Sequence, residues 1–201
     1  MNARSEFLMP WDKQFDIDVA LDKAKEVFWT HGYEATSMEM LLRAMGINRG
    51  SFYDTFKSKR DVLIRSLRRY DTDNRASAIR AAAAGYPPRE AITAVFRSMI
   101  DGSRGPLGRL GCFLVNSALE VAPQDEEVSL IVREGLRDVE RFFADLVRAG
   151  QEQGQIPQHI DPTDMGRTLM SQLVGLMVLL RSQAPKATLE SVVSQVSRLL
   201  T

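Results

Sequence analysis

Apolar residues recur every three or four positions along most of this chain, which is the period of amphipathic α-helices. The sequence contains no alternating stretch long enough to suggest a β-strand and no internal repeat. A first helix is predicted over residues 16–31, before Gly32. A second is capped by Thr36 or Ser37 and stops at Gly46. The pattern therefore predicts an all-α fold.

The next two predicted helices follow closely. The turn Ile47-Asn48 leads into a third helix over residues 49–56, where Phe52 and Phe56 lie four residues apart on its buried side. Ser58 then caps a long fourth helix. With the first two helices, the third is expected to enclose a small core.

Proline and glycine divide the rest of the chain. The run Gly85-Tyr86-Pro87-Pro88 ends the fourth helix and starts a fifth, and Asp161-Pro162 starts another with a cap and a proline at the first helical position. About nine helices are predicted. We expect a domain boundary inside or just after the fourth helix, which gives a flexible tail over 1–15, a small domain over 16–62 and a large domain over 63–201.

Composition excludes some classes of protein. The 201 residues are 44% hydrophobic, with a mean hydropathy of −0.19, which is ordinary for a globular protein. The longest apolar stretch, 173–180, is shorter than the ~20 residues of a membrane-spanning helix. No export signal is recognised at the start, and a single cysteine, Cys112, cannot form an intramolecular disulfide. We expect a cytoplasmic protein without a membrane partner.

The charges balance over the whole chain, with 26 basic and 26 acidic side chains, but they are unevenly distributed. Residues 36–69 contain eight basic side chains and three acidic ones. A local excess of arginine and lysine on short helices is typical of nucleic-acid-binding surfaces. The sequence therefore predicts a basic patch near the N-terminus.

Residues 36–63, TSMEMLLRAMGINRGSFYDTFKSKRDVL, resemble the DNA-binding signature of TetR-family transcriptional regulators. Residues 111–123, GCFLVNSALEVAP, resemble a segment of one branch of that family, and the whole resemblance covers about residues 16–200. It implies a three-helix, helix-turn-helix DNA-binding domain followed by a helical domain that binds an effector and dimerises. The implied partners are double-stranded operator DNA, a second copy of the chain and a small-molecule effector of unknown identity. The implied function is a repressor that the effector releases from a palindromic operator.

The third helix also has suitable chemistry for reading bases. The N-terminal end of a recognition helix enters the major groove, where short or bidentate side chains distinguish base pairs. Arg49 can donate two hydrogen bonds to a guanine, and Gly50 lets the backbone approach DNA closely. Asp54 departs from many relatives and either accepts from a cytosine amino group or faces solvent. The recognition residues predicted are Asn48, Arg49, Gly50, Ser51, Asp54 and Thr55.

Phosphate contacts are predicted around the recognition helix. Thr36 and Ser37 at the start of the second helix and Lys59 at the start of the fourth offer hydroxyl, ammonium and free N–H groups. The family resemblance assigns the Tyr53 hydroxyl to a phosphate as well, with core packing as its alternative. Solvent exposure without a DNA role is the alternative for Arg49 and for the neighbouring charges.

Cys112, Asn116 and Glu120 are four residues apart on an otherwise apolar predicted helix, and we expect this polar line to face an effector cavity. Cys112 has three interpretations: a small buried hydrophobe, part of a reversible binding site, or a thiolate that senses electrophiles or oxidants. The effector-binding residues predicted are Phe96, Met99, Cys112, Phe113, Asn116, Phe142, Leu173 and Met177.

The last two predicted helices carry more apolar residues than one small core needs, which favours a homodimer interface. The residues predicted for it are Leu169, Leu176, Leu180, Val192, Val193 and Val196.

Two other classes of function stay open: a helical enzyme, and a helical adaptor that binds protein without binding DNA. The sequence shows no phosphate-binding glycine loop and no Ser- or Cys-centred catalytic arrangement. His31 and His159 lack metal-ligand spacing. We therefore expect no catalytic residue, metal or cofactor. Tight, salt-sensitive binding to a palindromic duplex distinguishes a regulator from both alternatives.

Overall fold

The computed structural model describes residues 15–105 and 108–201, and all regular elements within them are helices. They are α1 (Ile17–His31), α2 (Met38–Met45), α3 (Arg49–Thr55), α4 (Lys59–Arg69), α5 (Ala76–Ala83), α6 (Pro88–Gly102), α7 (Phe113–Glu120), α8 (Glu126–Glu152), α9 (Pro162–Arg181) and α10 (Lys186–Leu199). The predicted all-α class is confirmed. The predicted tail, apart from Phe15, lies outside the described residues.

A π-helical segment, Tyr70–Arg75, joins α4 to α5 without a break, because the residues flanking it have right-handed helical dihedrals. The predicted long fourth helix is therefore one continuous rod with a locally wider turn. Counted with this rod as one helix, the described residues form nine α-helices, as predicted. A wider turn of this kind is often found at functional sites.

Side-chain caps fix the ends of the short helices. Ser37, rather than Thr36, caps α2, because its hydroxyl accepts from the backbone N–H of Met40. Asn48 caps α3 in the same way. Gly46 ends α2 in the left-handed region, with a φ of 67° that favours glycine. These caps satisfy backbone groups that the helices leave free.

The first hydrophobic core lies among α1 to α4. Phe52 and Phe56 are fully buried in it, as predicted, and both pack with Leu41 and Leu63. The core is continuous with residues of α7 and of the first turns of α8, including Leu114 and Val128. The small helical unit that carries α3 is thus packed directly against the large one.

The second core lies among α5, α6, α9, α10 and the C-terminal half of α8, and its fully buried members include Phe96, Phe143 and Leu169. Gly166 lets α8 and α9 approach each other closely, because a Cβ there would lie 2.6 Å from the backbone carbonyl oxygen of Glu140. This core surrounds one side of an internal cavity.

Candidate DNA-binding surface and effector cavity

Helix α3 presents opposite faces to the core and to solvent. Phe52 is fully buried, whereas Tyr53, its neighbour, is 53% exposed and holds its ring edge-on to Phe52 at 5.2 Å between centroids. The predicted recognition residues lie on the outward side: Asn48, Arg49, Gly50 and Asp54 are exposed, and Ser51 and Thr55 are half-buried. The helix is therefore anchored by aromatic packing with its polar side outward.

Fewer of the cations near α3 are available to an anionic partner than the sequence suggested. Arg43, Arg60, Arg65, Arg68 and Arg69 all form ion pairs with carboxylates of the protein. In the described part of the chain, Arg49 and Lys57 have no carboxylate within salt-bridge distance. The Lys59 ammonium lies 4.4 Å from the centre of the Tyr33 ring. This cation–π contact does not neutralise its positive charge as a carboxylate would.

The two candidates at the start of α2 differ in exposure. Thr36 is buried, and its hydroxyl donates to the carbonyl oxygen of Gly32 at 2.5 Å, so it is not at the surface where a phosphate would bind. Ser37 is exposed and caps α2. Of the pair, Ser37 is therefore the one whose side chain is exposed at this surface.

A cavity of about 540 Å³ lies between the π-helical segment and helices α5 to α9. Four of the predicted effector residues line it: Met99, Cys112, Leu173 and Met177. Most of the remaining wall is apolar, which suits the body of a small organic molecule, and the volume is within the range of ligand sites.

The other four predicted effector residues do not line this cavity. Phe96 is fully buried in the second core, and Phe113 packs on Trp29 and Tyr70. Phe142 borders a separate surface cleft between α5 and α8. The Asn116 amide donates to the Leu110 carbonyl oxygen at 2.9 Å.

The expected polar line of Cys112, Asn116 and Glu120 requires a correction. Gly111 has a φ of 72° and Cys112 is extended, so α7 begins only at Phe113 and Cys112 is not on the helical face that the spacing assumed. Cys112 faces the cavity, while Asn116 and Glu120 line a different groove beside α1.

Tyr70 is the polar neighbour of Cys112 inside the cavity wall. Its hydroxyl lies 3.5 Å from the Cys112 sulfur, and both side chains are buried. Burial, reinforced by the neighbouring thiol, raises the pKa of Tyr70 well above its usual value. The hydroxyl therefore stays protonated and donates toward the sulfur.

Ion pairs, and one hydrogen bond from a backbone N–H to a carboxylate, link the two helical units. The sequence did not predict these contacts. Arg60 of α4 donates to both oxygens of Asp125, at 2.5 and 2.9 Å, and also to Glu127 at 3.2 Å. The bond from Arg60 lowers the pKa of Asp125 despite partial burial. At the end of α7, Glu120 accepts from the backbone N–H of Glu34 at 3.0 Å. The partners lie 65 or more residues apart, so no local pattern could have paired them.

The predicted dimer residues are mostly internal. Leu169, Leu176, Leu180, Val193 and Val196 are buried within the protomer, and only Val192 is half-exposed. The outward face of α9 instead carries Val178, which is 46% exposed, and that of α10 carries Leu199. The apolar period of these helices reflects the protomer's own core.

Within residues 15–105 and 108–201, no three His, Cys, Asp or Glu side chains are grouped as metal ligands would be. None of the helices in the same ranges is long and apolar enough to cross a bilayer.

A short exposed helix after a glycine-ended partner, fixed on a three-helix core, defines a helix-turn-helix DNA-binding protein. Residues 20–65 match the family model described as bacterial regulatory proteins, tetR family. Residues 88–196, more than half of the chain, match the tetracyclin repressor-like C-terminal domain. The chain belongs to the TetR family of transcriptional regulators.

Named relatives agree with this assignment. The uncharacterized HTH-type transcriptional regulator YezE of Bacillus subtilis (strain 168) is 34% identical over 146 residues, which are 72% of this chain and 75% of that protein. The HTH-type transcriptional repressor ComR of Escherichia coli (strain K12) is 29% identical over 197 residues, covering 93% and 90%.

Solved structures share the fold. A cysteine mutant of the TetR family transcriptional regulator CifR, complexed with 26bp double-strand operator DNA, is 28% identical with a TM-score of 0.81, over 92% of this chain and 97% of that one. The reduced form of E. coli NemR, at 19% identity, has a TM-score of 0.81 over 92% and 96%, a likeness of fold.

Proposed function

We propose that the protein is a homodimeric transcriptional repressor that binds a palindromic operator through α3 and is released by a small molecule in the internal cavity. The observation that carries the proposal is the geometry of α3: Phe52 anchors it, and its polar residues face outward beside Arg49 and Lys57. The operator-bound CifR structure, which has the same fold, supports it. Since the proposed target is operator DNA, we place the action in the cytoplasm.

In the proposed complex, the two copies of α3 enter successive major grooves about 34–36 Å apart. Arg49 reads a guanine, and the other exposed residues at the start of α3 contact neighbouring bases or backbone. Ser37, Tyr53 and Lys59 hold phosphates. Thr36 supports them from inside by fixing the turn through Gly32.

The proposed dimer interface is the outward face of α9 and α10. On α9 the exposed residues Gln172, Gly175 and Val178 form one stripe, and on α10 Val192 and Leu199 lie on the corresponding face. A two-fold axis through such a face makes it self-complementary. The partly exposed apolar side chains are the ones that dimerisation would remove from water.

The proposed release follows from the path of the continuous helix that begins at Lys59. Its first turn is separated from α3 by residues 56–58 alone, and its π-helical segment forms part of the cavity wall. A molecule that prefers a different packing of that wall shifts the rod and with it the separation of the two α3 helices. By linkage, the same molecule binds less tightly to the DNA-bound form.

The proposal is tested by selecting duplexes from a random pool with the purified protein and measuring affinity by fluorescence anisotropy. We expect enrichment of a palindrome, with nanomolar binding that weakens steeply as salt rises. Arg148→Ala, which removes a distant exposed arginine of α8, is the matched control for charge loss. If the enriched sequences are not palindromic, or if no sequence is enriched, the proposal is refuted and an adaptor or an enzyme is favoured.

A second candidate is a thiol-based sensor on the same scaffold, favoured by the position of Cys112 in the cavity wall. An adduct on its sulfur would occupy space that a reversible effector otherwise fills. The test is to alkylate the protein with a small maleimide, confirm the adduct by mass and measure operator binding beside Cys112→Ser. Release that the serine variant shows equally rules out this mechanism, and a thiol that reacts only after denaturation leaves Cys112 as a packing residue.

A further inference from the structure

The wall of this largely apolar cavity contains side-chain donors without a hydrogen-bond partner. In the described chain, two buried side-chain nitrogen or oxygen atoms have no hydrogen-bond partner: Nη2 of Arg75 and Nε1 of Trp29. Both residues line this cavity. Both atoms are donors, because a guanidinium and an indole N–H have no acceptor to offer. What these two atoms lack is therefore an acceptor.

Arg75 is a costly residue to keep here. Its side chain is 9% exposed, and its Nε donates to Asp71 Oδ1 at 2.5 Å. Nη2 lies at the same distance from that oxygen, but its direction does not make a hydrogen bond. The pair balances the charge of the guanidinium yet leaves its buried Nη2 without a hydrogen bond. A buried donor without an acceptor destabilises a fold, and a bound acceptor would remove that cost.

The pair is held in place from behind by α8. A Cβ at Gly135 would lie 2.8 Å from Asp71 Oδ1 and 3.4 Å from Arg75 Nη2, so the bare backbone of α8 packs directly against both side chains. The guanidinium therefore cannot retreat toward α8. Most of the remaining wall is apolar and includes Ile79, Leu136 and Leu173, while Asn74 next to Arg75 is polar.

We propose that the cavity binds an organic carboxylate, with its carboxylate oxygens on the free donors of Arg75 and its apolar body against Ile79, Leu173 and Met177. A planar guanidinium is matched to a carboxylate in shape and charge, and the bond is charge-assisted. The indole N–H of Trp29 is the second donor available to the ligand. This inference rests on the proposed function in taking the cavity as the effector site.

The proposal has a consequence for signalling, since Trp29 belongs to α1 of the DNA-binding unit and Arg75 to the π-helical segment. A ligand that accepts from both would bridge the two units. Trp29 also contacts Tyr70, with ring centroids 5.2 Å apart. Its fluorescence should therefore report occupancy of the cavity without any DNA present.

The experiment compares ligands that share an apolar body and differ in the head group. Decanoate, decanamide and decan-1-ol, with naphthoate and naphthamide as a second pair, are titrated into the full chain by calorimetry. Quenching of Trp29 in a Trp11→Phe background is the second readout. We expect one or both carboxylates to bind at least about tenfold more tightly than the matched amide or alcohol. Equal or tighter binding of the neutral partners, or binding by neither carboxylate, overturns the proposal.

Variants then assign the preference to Arg75. Asp71→Asn combined with Arg75→Gln replaces the ion pair by two neutral amides and avoids leaving a buried carboxylate alone. We expect it to lose the preference for carboxylate, while Arg75→Lys retains part of it and Arg80→Gln, an exposed arginine on α5, retains all of it. A double variant that keeps the full preference and still binds would overturn the assignment.

These measurements use no DNA, so they are independent of the operator test. A protein that selects a palindrome but prefers no carboxylate retains the proposed function and loses this inference. A protein that binds carboxylates through Arg75 but selects no operator retains this inference and loses the proposed function.

Discussion

Single side chains on and around α3 have roles set by whether they point outward or inward. The sequence placed Phe52 and Phe56 inside, and the structure agrees. For Tyr53 it left core packing open as an alternative, and the structure exposes this side chain. Thr36 was not separable from Ser37 by sequence, because either hydroxyl can cap a helix. Its burial depends on the turn from Gly32, which brings the hydroxyl under a backbone carbonyl.

At this scale the first prediction concerns Arg49 and Lys59. Arg49→Ala should lower operator affinity by about 1–3 kcal/mol and relax base preference at one position, because a bidentate base contact is lost. Lys59→Ala should weaken all sequences alike and flatten the salt dependence, since a phosphate contact carries no base information. Anisotropy titrations at two salt concentrations, with cognate and mismatched duplexes, separate the two effects.

Arg148→Ala controls for the loss of one positive charge. If Arg49→Ala binds the operator as well as the parent does, α3 is not oriented on DNA as proposed.

At the scale of elements, the contacts between α1 and α4 hold the start of the long helix against the DNA-binding unit. The rod that starts at Lys59 touches α1 through its own arginines: Arg69 pairs with Asp22, which also binds Lys25. Burial opposes ionisation of Asp22, but the hydrogen bonds from these two cations outweigh it and lower its pKa. The α1–α4 contact is therefore fixed by charge as well as by packing.

The second prediction concerns the bridge from Arg60 of α4 to Asp125, which also caps α8. Asp125→Asn should keep the cap, because asparagine caps helices about as well as aspartate does, while it removes the charge pair. A small drop in melting temperature is expected near neutral pH, together with a weaker effect of ligand on operator binding.

The pH dependence follows from the lowered pKa of Asp125. A carboxylate with a folded-state pKa below its unfolded value contributes stability above about pH 4, and loses it as the pH falls through the folded value. The stability difference between parent and Asp125→Asn should therefore close on acidification. Urea unfolding along a pH series measures it, with Asp145→Asn, from an exposed pair on the same helix, as control. A difference that stays constant with pH would contradict the role of charge.

For the whole molecule, the question is which surface makes the dimer. Leu176 is buried in the protomer, whereas Val178 is exposed. A substitution of Leu176 therefore affects the core and one of Val178 affects the surface, which the sequence alone could not distinguish. A step of two residues along α9, from Leu176 to Val178, moves the side chain from the core to the surface, as the helical period requires.

The third prediction follows from this difference. Val178→Glu should give a folded, helical monomer with much weaker operator binding, because a charge without a partner enters the apolar part of the proposed interface. Leu176→Glu should instead give unfolded or insoluble protein. Light scattering with circular dichroism distinguishes these states.

Leu130→Glu, at an exposed position on α8, controls for adding an acidic residue at an apolar surface site. An unchanged dimer mass for Val178→Glu would exclude this face from the interface.

The sequence by itself determined the all-α class, the number of helices and where most of them end. Those features depend on residues within one or two turns of each other: the spacing of Phe52 and Phe56, and the stop at Gly46, whose φ is 67°. Short-range geometry is the same in any context, so a local pattern is sufficient to predict it.

Only the tertiary structure decided which of the apolar residues face the protomer core, a cavity or open solvent. An apolar residue on a helix gives the same sequence signal in all three cases, as Leu169 in the core, Leu173 at the cavity and exposed Val178 show. The pairing of Arg60 with Asp125, and the unpartnered donors of Arg75 and Trp29, likewise depend on approaches between distant segments. Such contacts result from how whole helices pack, and no spacing along the chain encodes them.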